Sequence, residues 1–225
     1  MPTTKKTISE VFEEFLSDQE ARISPKTLSK YESIISLFGS YLESYWPGHD
    51  QEEYNRTTEQ GGTFCGTFGP EEIPGGYGEF LGYFMPHKVM CGKDTMKAAG
   101  TVTKKLAKWL AEKGYVEDTS DAEERATEAA RDLPAAQDVL DLLEQYVDVN
   151  APDGYKDEIE DHFSIKKIEP GKLWLEPFTM FDKVIGPVPV PKEVTEICRE
   201  MWDIGGVVVK TSRGWRLLEV WNVSP

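Results

Sequence analysis

The stretch Val139-Leu-Asp-Leu-Leu-Glu-Gln-Tyr-Val-Asp-Val-Asn-Ala-Pro-Asp-Gly154, read together with Phe163-Ser-Ile-Lys-Lys-Ile-Glu-Pro-Gly-Lys-Leu-Trp-Leu-Glu176, decides the fold, because the hydrophobic period changes between them. Val139, Leu140, Leu143, Tyr146 and Val147 recur at spacings of three and four, which is the stripe of an amphipathic helix. Phe163 to Ile168 alternates as a strand does, Glu169-Pro-Gly-Lys172 is a turn, and Leu173 to Glu176 returns. Between the two regimes Asn150-Ala-Pro-Asp-Gly154 is rich in turn residues and marks a domain boundary. The expected class is α+β: a helical part over 1–148, a linker at 149–154 and a small β-barrel over 155–225.

Working toward the C-terminus, Lys183 to Val190 reads as a third strand, and its prolines place it at a sheet edge. Pro191 opens a short helix with Val194, Ile197, Cys198 and Met201 on one side. Gly206–Lys210 and Trp215–Trp221 form a hairpin around Thr211-Ser-Arg-Gly214. The order β-β-β-α-β-β suits a five-stranded, partly open barrel, OB-like or SH3-like. Simple alternation puts Trp215 and Trp221 on one face of the last strand. The acidic run Asp157-Glu-Ile-Glu-Asp161 reads as a solvated linker, since it lacks the spacing of a calcium loop.

Working toward the N-terminus, residues 120–148 form one or two acidic helices, divided near Leu133-Pro134. Before them a helix starts at Asp94 or Thr95 and stops at Gly114. Met96, Ala99, Val102, Leu106, Trp109 and Leu110 line its apolar side, and Lys97, Lys104, Lys105 and Lys108 its polar side. Thr7-Ile-Ser-Glu10 has the form of a capping box ahead of the stripe Ile8, Val11, Phe12, Phe15 and Leu16. Ser24-Pro25 is an N-cap followed by proline at the first helical position, ahead of Leu28, Tyr31, Ile35, Phe38 and Leu42. Tyr77 to Phe84 reads as a short helix. Residues 48–76, with Gly61-Gly62, Gly69-Pro70 and Pro74-Gly75-Gly76, read as an acidic Gly/Pro-rich loop docked through Phe64 and Phe68.

Charge sharpens the picture. The 225 residues carry 25 Lys and Arg against 40 Asp and Glu, a net charge of −15. That argues against a general coat on nucleic acid or anionic lipid. Residues 88–116, however, hold seven basic and two acidic side chains, while residues 117–148 hold two and eleven. One basic island, on one side of the helix at 94–113, lies between acidic flanks. No apolar run approaches a membrane span and no leader-like segment opens the chain, so no membrane partner is expected. Three unspaced cysteines are no disulfide framework, and a reducing cytoplasm is the expected compartment.

Ile8-Ser-Glu-Val-Phe-Glu-Glu-Phe-Leu16, Arg22-Ile-Ser-Pro-Lys-Thr-Leu-Ser-Lys-Tyr31, Phe38-Gly-Ser-Tyr-Leu42, Thr95-Met-Lys-Ala-Ala-Gly100 and Leu106-Ala-Lys-Trp-Leu-Ala-Glu-Lys-Gly114 together resemble the N-terminal SAM-like core-binding domain of tyrosine recombinases (phage integrases). The resemblance covers residues 5–115. It implies a helical bundle that clamps duplex DNA, with Lys26, Lys30, Lys97, Lys104, Lys105 and Lys108 at the phosphates. The family's catalytic domain does not follow: the one later histidine, His162, precedes Phe-Ser-Ile rather than the His-x-x-Arg motif. No P-loop, Gly-x-Ser-x-Gly, His-Glu-x-x-His or dinucleotide fingerprint is present.

The expectation is therefore a non-catalytic accessory or regulatory protein, without cofactor, that binds duplex DNA through the helix at 94–113. The rival is an acidic protein-interaction or scaffold module, in which the lysine side is neutralised by residues 120–148. A third reading places zinc among His49, Cys65, His87 and Cys91, the last two at i, i+4 if that stretch is helical. A fourth uses Trp174, Trp202, Trp215, Trp221, Phe178 and Phe181 to stack bases, against the need of a small domain for large core side chains.

Overall fold

The computed structural model describes residues 6–45, 51–180 and 182–225. Packing divides the chain into two units. The first holds the described residues up to Met85 together with Asp94–Ala130, and the second holds Pro86–Lys93 and Arg131–Pro225.

In the first unit α1 (Ile8–Glu20) opens on the expected capping box. Glu10 N–H donates to the Thr7 hydroxyl, and Thr7 N–H donates to the Glu10 carboxylate at 2.8 Å. Helix α2 (Pro25–Ser44) starts from Ser24, whose hydroxyl accepts from Thr27 N–H. Val11 and Phe15 of α1 are buried, as are Ile35, Phe38 and Leu42 of α2. The Phe12 and Phe38 rings meet at 5.9 Å. These are the stripes read from the sequence.

From residue 51 on, the tract 48–76 is not a loop. Its described residues hold α3 (Gln51–Glu59), α4 (Phe64–Thr67), a 3-10 turn (Pro70–Glu72) and the start of α5 (Ile73–Glu79). Its glycines and prolines limit element length rather than forbid helix. The pieces are held from outside: the Glu43 carboxylate accepts from Phe64 and Cys65 N–H, both at 2.8 Å. The Tyr54 hydroxyl donates to the Glu43 carbonyl. Phe64 is buried with the half-buried Phe68 ring stacked on it at 4.4 Å, the docking those two aromatics announced, and the Phe68 main-chain carbonyl accepts from Ile8 N–H. Helix α5 runs on as a π turn (Phe80–Phe84), followed by the short α6 (Met85–Lys88). Then come α7 (Lys93–Glu112) and α8 (Ser120–Asn150).

Helix α8 is one helix with Pro134 inside it. A proline has no N–H for the carbonyl four residues back, and here that carbonyl belongs to Ala130, the last residue of the first unit. Beyond that point Val139, Leu143 and Val147 join the core of the second unit. The division by packing thus runs through α8 rather than through the turn at 149–154.

The second unit is built on an antiparallel sheet of β1 (Asp157–Glu169), β2 (Lys172–Pro177), β3 (Ile185–Pro189), β4 (Asp203–Thr211) and β5 (Gly214–Ser224), in the order β3-β2-β1-β4-β5. Helix α9 (Lys192–Ile197) links β3 to β4. Three hairpin-connected strands, with a fourth returned beside the first, make a Greek key. The edge strands β3 and β5 also approach each other, so the sheet curls into a half-barrel, the five-stranded, partly open arrangement of the OB-like alternative. Phe163, Ile165, Leu173, Leu175, Ile204, Val208 and Leu217 fill it. The Pro-bearing β3 lies at an edge, as expected.

Two sequence expectations fail here. The acidic run at 157–161 is the first part of β1, paired residue by residue with β4 from Asp157↔Lys210 to Asp161↔Gly206. Its charges stay outward while Ile159 is buried. On β5 the register jumps twice against β4, which leaves Leu218 and Trp221 without partners. These bulges cancel simple alternation. Trp215 packs toward the core cluster whereas Trp221 is exposed, so the two do not share an environment. No helix among the described residues is long and apolar enough to cross a membrane.

Candidate nucleic-acid interface

Helix α7 presents the basic island. Met96, Ala99, Val102, Leu106, Trp109 and Leu110 are all buried, which fixes the rotation of the helix about its axis. Lys97, Lys105 and Lys108 are consequently exposed and Lys104 half-buried. Gly100, on the flank, lies so close to α8 that a Cβ there would collide with the Ala130 backbone. The first half of α8, with Asp121, Glu123, Glu124 and Glu128, therefore runs beside the lysine side.

That proximity neutralises only one of the four. Lys108 Nζ stands 3.6 Å from the Glu123 carboxylate, while Lys97, Lys104 and Lys105 make no ion pair among the described residues. On α2, Lys30 Nζ stands 3.6 Å from Asp94 at the start of α7, and Lys26, one turn earlier, is exposed without an ion pair among the described residues. Ser29, Lys30, Ser33, Asp94 and Thr95 line a small cleft of about 110 Å3 where the two helices meet. The structure thus brings Lys30 beside the start of α7 and sets the four α7 lysines on one arc.

The far end of α7 is tied down electrostatically, a feature the sequence reading missed. Lys113 Nζ reaches Glu14 at 3.0 Å and Asp18 at 2.9 Å, and Trp109 Nε1–H donates to Asp18. Tyr115 Oη donates to Glu14 at 2.6 Å, and Lys6 pairs with the same carboxylate. Hydrogen bonds from Lys6, Tyr115 and Lys113 pull the Glu14 carboxyl down to about 2. Lys113 and then Trp109 lower Asp18 in the same way, and Asp18 and Glu14 raise Lys113 in return. Nothing local signalled it, since Glu14 and Asp18 belong to α1 and Lys113 follows the end of α7.

The zinc set does not assemble. His49 lies outside the described residues. Helix α6 ends at Lys88, so His87 and Cys91 do not share a helical face. Cys65 is buried, its thiol pushed up by burial and by Glu43, and donates to the Gly39 carbonyl. Burial likewise raises the Cys91 thiol. Among the described residues no three His, Cys, Asp or Glu side chains are placed to hold a metal.

The barrel aromatics divide. Trp202 is core, Trp174 is half-buried with Lys167 Nζ 4.6 Å from its ring, and Phe181 lies outside the described residues. Phe178 and Trp221 are exposed and flank His162 at 6.1 and 6.5 Å, and His87 approaches the same imidazole at 5.6 Å. This His–aromatic patch was not legible, because its members come from separate segments.

No family model, no curated protein and no solved structure matches this chain.

Proposed function

We propose that the protein is a nucleic-acid-associated accessory or regulatory factor whose helical unit holds duplex DNA through α7 and performs no chemistry on it. The observation that carries this reading is the set Lys97, Lys104 and Lys105, which meet no carboxylate among the described residues of a chain that has 40. Lysines in that condition contact phosphates as point charges and release counterions. Lys26, Lys30 and Lys108 extend the contact, Lys30 by exchanging the exposed Asp94 carboxylate for a phosphate and Lys108 by exchanging the half-buried Glu123. The resemblance to the SAM-like recombinase domain points the same way. The three free thiols fit a reducing compartment, and we place the protein in the cytoplasm.

A salt titration of duplex binding tests the proposal. Each lost phosphate contact lowers the slope of log K against log salt by about 0.9, so Lys97/Lys104/Lys105→Ala loses about 2.7. An affinity at low salt no better than that of an unrelated acidic protein ends the proposal, as does an unchanged slope. The Lys108–Glu123 and Lys30–Asp94 pairs favour the second reading, an acidic interaction module that has given up DNA. That reading expects no duplex binding even when Glu123 and Asp94 are changed to Gln and Asn.

A further inference from the structure

The helical unit carries a second surface, chemically opposite to the lysine side. Between α1 and α2 runs an open groove of about 320 Å3. Its floor is the outer edge of the buried Phe12 and Ile35, with the half-buried Leu16 beside them. Its walls are low because Ser36, Gly39 and Ser40 carry little or no side chain. At Gly39 an added Cβ would meet only Phe12 Cε2, at an ordinary 4.0 Å, so the space above the floor is open.

The charges along the groove have one sign. Glu13 and Glu32 are exposed on opposite walls, and neither has an ion-pair partner among the described residues. Among the described residues no Lys or Arg lines the groove. The third carboxylate there, Glu43, is already engaged by the Phe64 and Cys65 N–H groups. An apolar floor between two unpaired carboxylates complements a segment with one large apolar side chain flanked by cations. A helix supplies that pattern along one face. The net charge of −15 steers such a partner toward the protein.

We propose that this groove docks a cationic amphipathic helix of another protein, seating an apolar anchor over Phe12 and Ile35 and setting Lys or Arg against Glu13 and Glu32. The site is independent of the α7 lysines and does not rest on the DNA reading.

The probe is a fluorescent, Ala-rich synthetic peptide of about 20 residues, past the length at which isolated helices are marginal in water, with Leu at i and i+4 flanked by lysines. It is titrated into the full-length chain beside a scrambled peptide of equal composition. The ordered peptide is expected to bind at least about tenfold more tightly, the weight of one buried leucine. Gly39→Leu fills the groove while improving helix propensity, so it folds and loses that advantage. Glu13→Lys/Glu32→Lys is expected to lose binding as well, and Lys97/Lys104/Lys105→Ala to keep it. Equal binding of the scrambled peptide, or full binding by Gly39→Leu, overturns the proposal. Self-association of the wild-type chain that Gly39→Leu abolishes assigns the groove to a second copy and overturns it equally.

Discussion

Helix α7 and strand β5 both bury residues three apart, for different reasons. In α7, Met96, Ala99 and Val102 share a side because the helix turns once in 3.6 residues. In β5, Leu217, Val220 and Val223 are buried at the same spacing because two bulges each insert a residue into a period of two. The helical period is a property of the backbone and shows in any window. The strand's period is imposed by its partner β4 and becomes visible only in the pairing. A spacing of three therefore identifies a buried side with confidence only where local propensity already says helix.

The largest expected effects test whether the two spacings are equally structural. Leu106→Ala in α7 and Leu217→Ala in β5 each remove a fully packed side chain and are expected to cost about 2–5 kcal/mol by denaturant unfolding. The sharper contrast lies within β5. Leu218→Ala, one residue along at the bulge, is expected to cost under about 1 kcal/mol, since its side chain is not in the core. Comparable losses at 217 and 218 would mean that β5 is not bulged as described.

Next in size is the acid response of the α1–α7 tie. Glu14 is depressed in the folded chain from an ordinary 4.5 to about 2. A depressed carboxyl contributes stability above its unfolded value and loses it as pH falls through the folded one. Stability is thus expected to decline between about pH 4.5 and 2, and Glu14→Gln to flatten that limb in a urea-midpoint series. An unchanged acid limb would show that the tie does not hold the end of α7. The smallest effect belongs to the exposed side of α7. Lys97/Lys104/Lys105→Ala is expected to leave stability within about 0.5 kcal/mol, while changing the salt slope of DNA binding.

The same contrast explains how much could be read in advance. The caps of α1 and α2 and the stripes of α1, α2 and α7 are local, and the caps were legible from Thr7, Glu10, Ser24 and Pro25. The lysine arc was legible too, since the buried side of α7 fixes where Lys97 and Lys105 go. Whether a carboxylate reaches them depends on α8 docking at Gly100, which nothing local encodes. Helix α3 escaped because Gln51–Glu59 has a single large anchor, Tyr54, and so no stripe. The start of β1 escaped because Ile159 alone is apolar among four acids, and the valines of β4 hold it in place. The barrel order, in contrast, followed from the short strands and the helix at Val194.

Helix α8 has a practical consequence for anyone dissecting the molecule. Cutting at Asn150–Gly154, the obvious turn, would strand Val139, Leu143 and Val147 on the helical fragment and uncover the sheet core on the other. Both fragments would expose sticky apolar surface and tend to aggregate. A separable piece would have to end near Ala130, where Pro134 has already left a carbonyl without its helical donor.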